Sequence, residues 1–172
     1  MTNLEIENPT AYQQKLDRLL GDRDPLVVLA ETPRRLTRLV DTHTAAQLRT
    51  RPFDGKWTPN EILGHLVDAE WAYGWRIRHV LCDDQPELHG MGQDNWVARQ
   101  GYNDYEPRAL LEMFTRLREY NLAAWRLATP EDLQRTGLHN ERGPETLGLM
   151  RIMHAGHDLT HLDQLDRYLD AI

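Results

Sequence analysis

His157 and His161 lie four residues apart in the run His154-Ala-Gly-His157-Asp-Leu-Thr-His161 near the end of the chain. On an α-helix that spacing puts two imidazoles on one face, about 40° apart and roughly 6 Å along the axis, close enough to share one ion. His154 and His161 nearly eclipse, but seven residues correspond to about 10.5 Å of rise, too far for two rings whose bonds to a metal are near 2 Å. A third candidate ligand, His65, occupies the inward face of a different predicted helix. Three histidines from two helices would leave a zinc-like ion one open position, as catalytic sites do and closed structural sites do not.

On these residues alone a second reading stays open, in which the rings are core histidines bonded to backbone or carboxylates. An unpaired buried polar group costs on the order of 1–3 kcal/mol, so the rings need partners of some kind. The pattern is not that of the HExxH zinc proteases. The residue after His157 is Asp158, which is shorter than glutamate and points about 100° away. Asp68, one turn beyond His65, and Asp158 are candidate general bases or partners of the histidines; as helix-face acids they could equally be solvated. His43, His79, His89 and His139 fall in predicted loops or on outer faces and read as surface histidines, with His89 and His139 placed where connections could line a pocket. The five tryptophans read as core and interface packing.

The helices that must carry these residues announce themselves by their caps. Thr58-Pro59-Asn60-Glu61 combines an N-cap, a proline at the first helical position and a glutamate that can complete a capping box. It predicts a helix to about Leu81 with Ile62, His65, Leu66, Ala69, Tyr73, Ile77 and Val80 inward. From Leu147 onward, Met150, His154, His157, His161, Gln164, Leu165 and Tyr168 keep the three-then-four spacing of a buried face. Pro107 opens another long helix with Leu110, Phe114, Leu117, Asn121, Ala124 and Trp125 on one side. Asp24-Pro25 and Thr32-Pro33 each have the form of a cap followed by proline, which predicts a short turn and then a longer helix carrying Leu36, Leu39 and Val40. Thr44-Ala-Ala-Gln47 is a further capping box. A short helix is expected after Asn8-Pro9, ending near Gly21.

Residues 82–105 have no sustained period beyond a short helix around Asp94 to Gln100, and a connection of that length is more often a functional cover than a plain linker. Residues 139–144 read as a polar loop, and no stretch alternates long enough to be a convincing strand. The expected fold is therefore all-α, an up-down four-helix bundle with short extra helices and a long connecting loop. It forms a single domain over residues 1–172, with 1–23 as a peripheral N-terminal segment. Twenty-seven acidic against 20 basic residues give a formal charge of −7, which disfavours nucleic acid and anionic membrane surfaces as partners. One cysteine excludes a disulfide framework. The start of the chain has no secretory pattern and no apolar run reaches membrane length, so a cytoplasmic location is expected.

The segment Lys56-Trp-Thr-Pro-Asn-Glu-Ile-Leu-Gly-His65-Leu-Val-Asp-Ala-Glu70, the residues around Asp94-Asn-Trp96 and Tyr102-Asn103, and the closing Gly156-His157-Asp-Leu-Thr-His161-Leu-Asp-Gln164 together resemble the DinB/YfiT-like superfamily. The likeness runs from about Pro25 to Leu169. It implies a four-helix bundle, commonly a homodimer, with a divalent metal, often zinc or nickel, held by histidines that map onto His65, His157 and His161. His154 has no fixed role in that pattern. The resemblance also implies a metal-dependent hydrolase, or a transferase or isomerase using a low-molecular-weight thiol on a small-molecule substrate. In either, the metal would activate water or thiol, and the loop from Pro86 to Tyr102 could shape the pocket. The competing expectation is a non-catalytic metal-binding or stress-related interaction module.

Overall fold

A computed structural model describes residues 9–172. Four long helices form the bundle: α2 (Pro25–Thr42), α4 (Pro59–Cys82), α6 (Pro107–Leu127) and α7 (Leu147–Leu169). Around the bundle α2 packs on α6, α6 on α4, α4 on α7 and α7 on α2. Helices consecutive in the chain, α2 with α4 and α6 with α7, therefore sit diagonally. The shorter α1 (Pro9–Leu20) lies against α7, and α3 (Ala45–Leu48) and α5 (Gln93–Gln100) occupy the connections. The N-terminal residues before Pro9 in the expected peripheral segment lie outside the described residues.

The capping boxes at Thr44 and Thr58 form as the sequence predicts. Thr58 Oγ1 accepts from the Glu61 N–H at 3.1 Å while the Glu61 carboxylate accepts from the Thr58 N–H at 2.7 Å, fixing where α4 begins. All seven residues expected on the inner face of α4 are buried, as are the eight expected on α7. At Gly156, in α7, a Cβ would lie 2.7 Å from Leu16 Cβ and 2.8 Å from its carbonyl oxygen, so only glycine lets α1 approach this closely.

Four expectations need correction. Thr32-Pro33 does not start a second helix; α2 runs through it, and the buried Thr32 donates its hydroxyl to the Val28 carbonyl at 3.0 Å. Pro33 has no N–H to offer the carbonyl of Leu29, one turn earlier, and that acceptor is taken instead by Arg118 Nη1 at 2.8 Å. On α6, Leu117 is only half-buried and Arg118 holds the inward position. Finally, there is a small sheet of order β1-β2-β3, with β1 (Glu87–Leu88) parallel to β2 (Thr136–His139) and β2 antiparallel to β3 (Gly143–Thr146). Strands of two to four residues are too short to display an alternating pattern, so the expected polar loop turns out to be a hairpin. It carries Glu141 and Arg142 in its turn, and it buries His139, which therefore is not a surface residue.

No described helix is long and apolar enough to cross a membrane.

Candidate metal centre

Facing helices α4 and α7 bring His65, His157 and His161 together at 0%, 6% and 0% exposure. Their ring centroids are 5.1 Å (65 to 157), 4.7 Å (65 to 161) and 4.4 Å (157 to 161) apart. His65 Nε2 lies 3.0 Å from His157 Nε2, and one ligating nitrogen from each ring falls within 4.8 Å of the others. Nitrogens bound tetrahedrally at about 2.1 Å to one zinc ion are about 3.4 Å apart, so the three rings need only small rotations to share an ion.

Burial keeps each ring neutral, and for His161 a hydrogen-bonded partner also fixes the tautomer. His161 Nδ1 donates to Gln164 Oε1 at 2.9 Å, and Gln164 Nε2 in turn donates to the Tyr168 hydroxyl at 3.0 Å. That chain fixes the tautomer and leaves the His161 Nε2 lone pair free, with no partner among the described residues. Burial pushes His65 and His161 well below the ordinary histidine value, with the neighbouring imidazoles adding to the shift, and pushes His157 down to about 3, with His154 next in effect. All three rings are neutral near pH 7, the form that ligates. The indole of Trp57 flanks the cluster, 5.0 Å from His65 and 6.4 Å from His161.

A cavity of about 150 Å³ opens onto His65 and His157. Ala69, Tyr73 and Arg76 continue its wall along α4; Met91, Gly92 and Gln93 come from the long connection, and Glu141 and Arg142 from the hairpin. The connection thus forms part of the wall, as its length suggested. Neither Asp68 nor Asp158 lines this cavity. Asp68 turns away and accepts from Gln100 Nε2 at 3.1 Å; burial raises its pKa, with Tyr102 and Gln100 opposing.

Asp158 has a different assignment from general base. Its Oδ2 and Oδ1 accept from Arg118 at 2.6 and 2.9 Å, all within the core. Arg118 Nη2 also donates to Glu70 Oε1 at 2.5 Å, and Asn121 Nδ2 to Glu70 Oε2 at 3.0 Å. Trp125 Nε1 donates to His154 Nδ1 at 3.2 Å, so the His154 proton sits on Nε2 and goes to Glu70 Oε1 at 2.6 Å. Burial opposes charge on both Arg118 and Glu70. The ion pairs prevail, raising Arg118 and holding Glu70 far below the usual carboxylate range. Glu70, His154 and Asp158 are grouped tightly enough to hold a metal, but the guanidinium already supplies the cation there. This answers what satisfies His154, which spacing had separated from the other histidines.

Residues 29–165 match the family model of the DinB superfamily. The chain belongs to the DinB superfamily. It is 26% identical over 174 residues to "Putative metal-dependent hydrolase YfiT" of Bacillus subtilis, covering 97% of each chain. It is 24% identical over 145 residues to "Putative metal-dependent hydrolase OB0782" of Oceanobacillus iheyensis, covering 83% and 84%. The solved structure of Bacillus subtilis YfiT, described as having an unusual four-helix bundle topology, superposes with a TM-score of 0.72 at 25% identity, over 83% of this chain and 84% of that one. The mycothiol-dependent maleylpyruvate isomerase shares the fold at a TM-score of 0.64 and 13% identity, over 82% of this chain and 59% of that one.

Within the DinB-type bundle, Glu70 and Arg118 are the residues that sequence reasoning passed over. A signal existed for Arg118: Leu111, Phe114, Arg118, Asn121 and Trp125 keep helical spacing on the buried stripe of α6.

Proposed function

We propose that His65, His157 and His161 hold one divalent metal ion, zinc or nickel, and that the protein is a metal-dependent hydrolase acting on a small molecule. The single observation that carries the reading is the convergence of three buried, neutral imidazoles, two of which, His65 and His157, line an open cavity, with the His161 Nε2 lone pair unpartnered among the described residues. A divalent ion bound there supplies Lewis acidity and lowers the pKa of a coordinated water or thiol toward neutrality. The protein's own residues do the rest. Gln164 orients His161, burial keeps all three rings unprotonated, and Trp57 shields the cluster from bulk water on one side. His65 and His157, which face the cavity, leave the substrate side open.

A low-molecular-weight thiol as the activated nucleophile is the second reading, favoured by the fold shared with a mycothiol-dependent isomerase. The test is elemental analysis of the purified protein before and after loading with zinc or nickel, alongside His65→Ala and His157→Ala variants. About one equivalent of metal in the wild type and little in the variants supports the site. No stoichiometric metal after loading overturns it. The loaded protein, assayed on an ester and amide panel with and without added thiols, then separates hydrolysis from thiol transfer, and a protein inert to both panels points to a non-catalytic metal-binding module.

A further inference from the structure

Arg76 is the one cation on the cavity wall that has no acid of its own among the described residues. It is 6% exposed, and its single hydrogen bond runs from Nη2 to the carbonyl of His89 at 2.6 Å. Its guanidinium stands 5.7 Å from the Tyr73 ring. No described carboxylate lies within ion-pair distance of it, whereas Arg142, beside it on the same wall, is clamped by Glu145 at 2.5 and 3.0 Å. Arginine carries five N–H donors in a planar fork. The Arg76 donors that the His89 carbonyl leaves unused are not sealed in the core, since none of them is a buried, unpartnered atom; they open on the cavity.

A guanidinium that is 6% exposed, touches no described carboxylate and turns its spare donors to a cavity is largely stripped of water without an ion-pair partner, and an anion in the cavity would complete it. Arg76 also shares a helix face with the candidate ligands. It lies eleven residues beyond His65, three turns along α4, with Ala69 and Tyr73 between them on the same stripe. Helical side chains lean toward the N-terminus, so the guanidinium reaches back toward the histidines. Its charge is near enough to contribute to the lowering of the His157 pKa. Glu145 and Glu141 attract Arg76 through space without touching it; Glu145 is already held by Arg142, and Glu141 is exposed, so solvent screens its charge.

We infer that Arg76 is the specificity-determining residue of the cavity: it receives a carboxylate, or an anion of similar geometry, at one end of a small substrate whose other end lies against His65 and His157. The second half of that statement rests on the metal proposal; the first does not. A cavity of about 150 Å³ suits a molecule of a few carbon atoms.

The test uses the full chain, isotope-labelled and metal-free, titrated with butyrate and with butanamide, which differ in charge far more than in shape. Butyrate should saturably shift the Arg76 Nε–H resonance and bind about tenfold more tightly than butanamide, the equivalent of one charge-assisted pair. Arg76→Gln should remove that preference. Equal binding of the two probes, or undiminished butyrate binding in Arg76→Gln, overturns the inference. Should Arg76→Gln not fold, the wild-type comparison with the Arg76 resonance as reporter decides by itself. A second arm uses zinc-loaded protein and succinic monohydroxamate against its methyl ester, where the free acid should be preferred by a similar factor. Failure of the chain to take up zinc sinks the metal proposal and leaves the butyrate result standing.

Discussion

Arg118 donates to the carbonyl of Leu29 across 2.8 Å, the acceptor that Pro33 strips of its helical partner. One guanidinium thereby repairs a helix interrupted by proline in α2 and neutralises two buried acids, Glu70 on α4 and Asp158 on α7. Arg118 itself sits on α6, so all four long helices meet at this side chain. A proline inside a helix costs about 3 kcal/mol where nothing compensates for it. Here the freed carbonyl becomes a third partner of the guanidinium, beside Glu70 and Asp158.

Arg118→Met should therefore be among the most damaging single substitutions in the chain. It leaves Glu70 and Asp158 as uncompensated buried charges, and a loss of roughly 3–5 kcal/mol is expected. Urea denaturation of the variant at pH 7 measures it. A loss under about 1 kcal/mol would mean that the network contributes little beyond its packing volume.

The two histidine clusters should separate cleanly on mutation. His161→Ala should abolish stoichiometric zinc binding and the rise in melting temperature that a ligand of the folded state produces. His154→Ala should instead keep the zinc stoichiometry and lower the melting temperature, because it leaves the Trp125 indole and Glu70 short of a partner. Calorimetry with and without zinc reads both. Equal zinc loss in the two variants contradicts the division of roles.

Acid should destabilise the metal-free protein from an unusually high pH. His65, His157 and His161 are depressed from 6.5 chiefly by burial, His157 to about 3. Below pH 6.5 the unfolded chain binds protons that the folded one does not, so stability that is complete above 6.5 drains away as pH falls toward 3. Glu70, held low by Arg118 and His154 against its burial, adds a second loss below its ordinary 4.5. Urea midpoints at pH 8, 6, 5 and 4 should fall at every step; a flat profile between 6.5 and 5 is incompatible with three neutral buried rings.

Gly64→Ala should lower the melting temperature despite alanine's better helix propensity. A Cβ at position 64 would lie 2.1 Å from Tyr102 Cγ, and the Tyr102 carbonyl is tied to Asn60 Nδ2 at 2.6 Å, so the ring cannot simply step aside. The expected cost is about 1–3 kcal/mol of overpacking, against a gain of about 1 kcal/mol at most from propensity. A thermal melt decides between them, and a net rise would show that the 102–105 segment gives way freely.

The chain announced its helices and the metal candidates but not its electrostatic centre. Thr58 and Glu61 are three residues apart, and His157 and His161 four, so their relationships are local and legible as spacing. The inward faces of α4 and α7 follow for the same reason, since helical periodicity is a property of each segment alone. His65 could be set beside the other two histidines only as an expectation, 92 residues distant from His157 in the chain. Asp68 and Asp158 qualified equally as bases on sequence grounds, and packing gave one to Gln100 and the other to Arg118.

Sequence by itself determined where α4 and α7 begin and which histidines they turn inward, because capping and amphipathic spacing act within a few residues. Only the tertiary structure decided what those faces meet. The diagonal placement of α2 with α4 and of α6 with α7, the burial of Arg118 in place of Leu117 and the position of Arg76 on the cavity wall, without an ion-pair partner among the described residues, all depend on groups supplied by other segments. A charge acquires its role from the groups around it once water is excluded, and no single stretch of this chain encodes that neighbourhood.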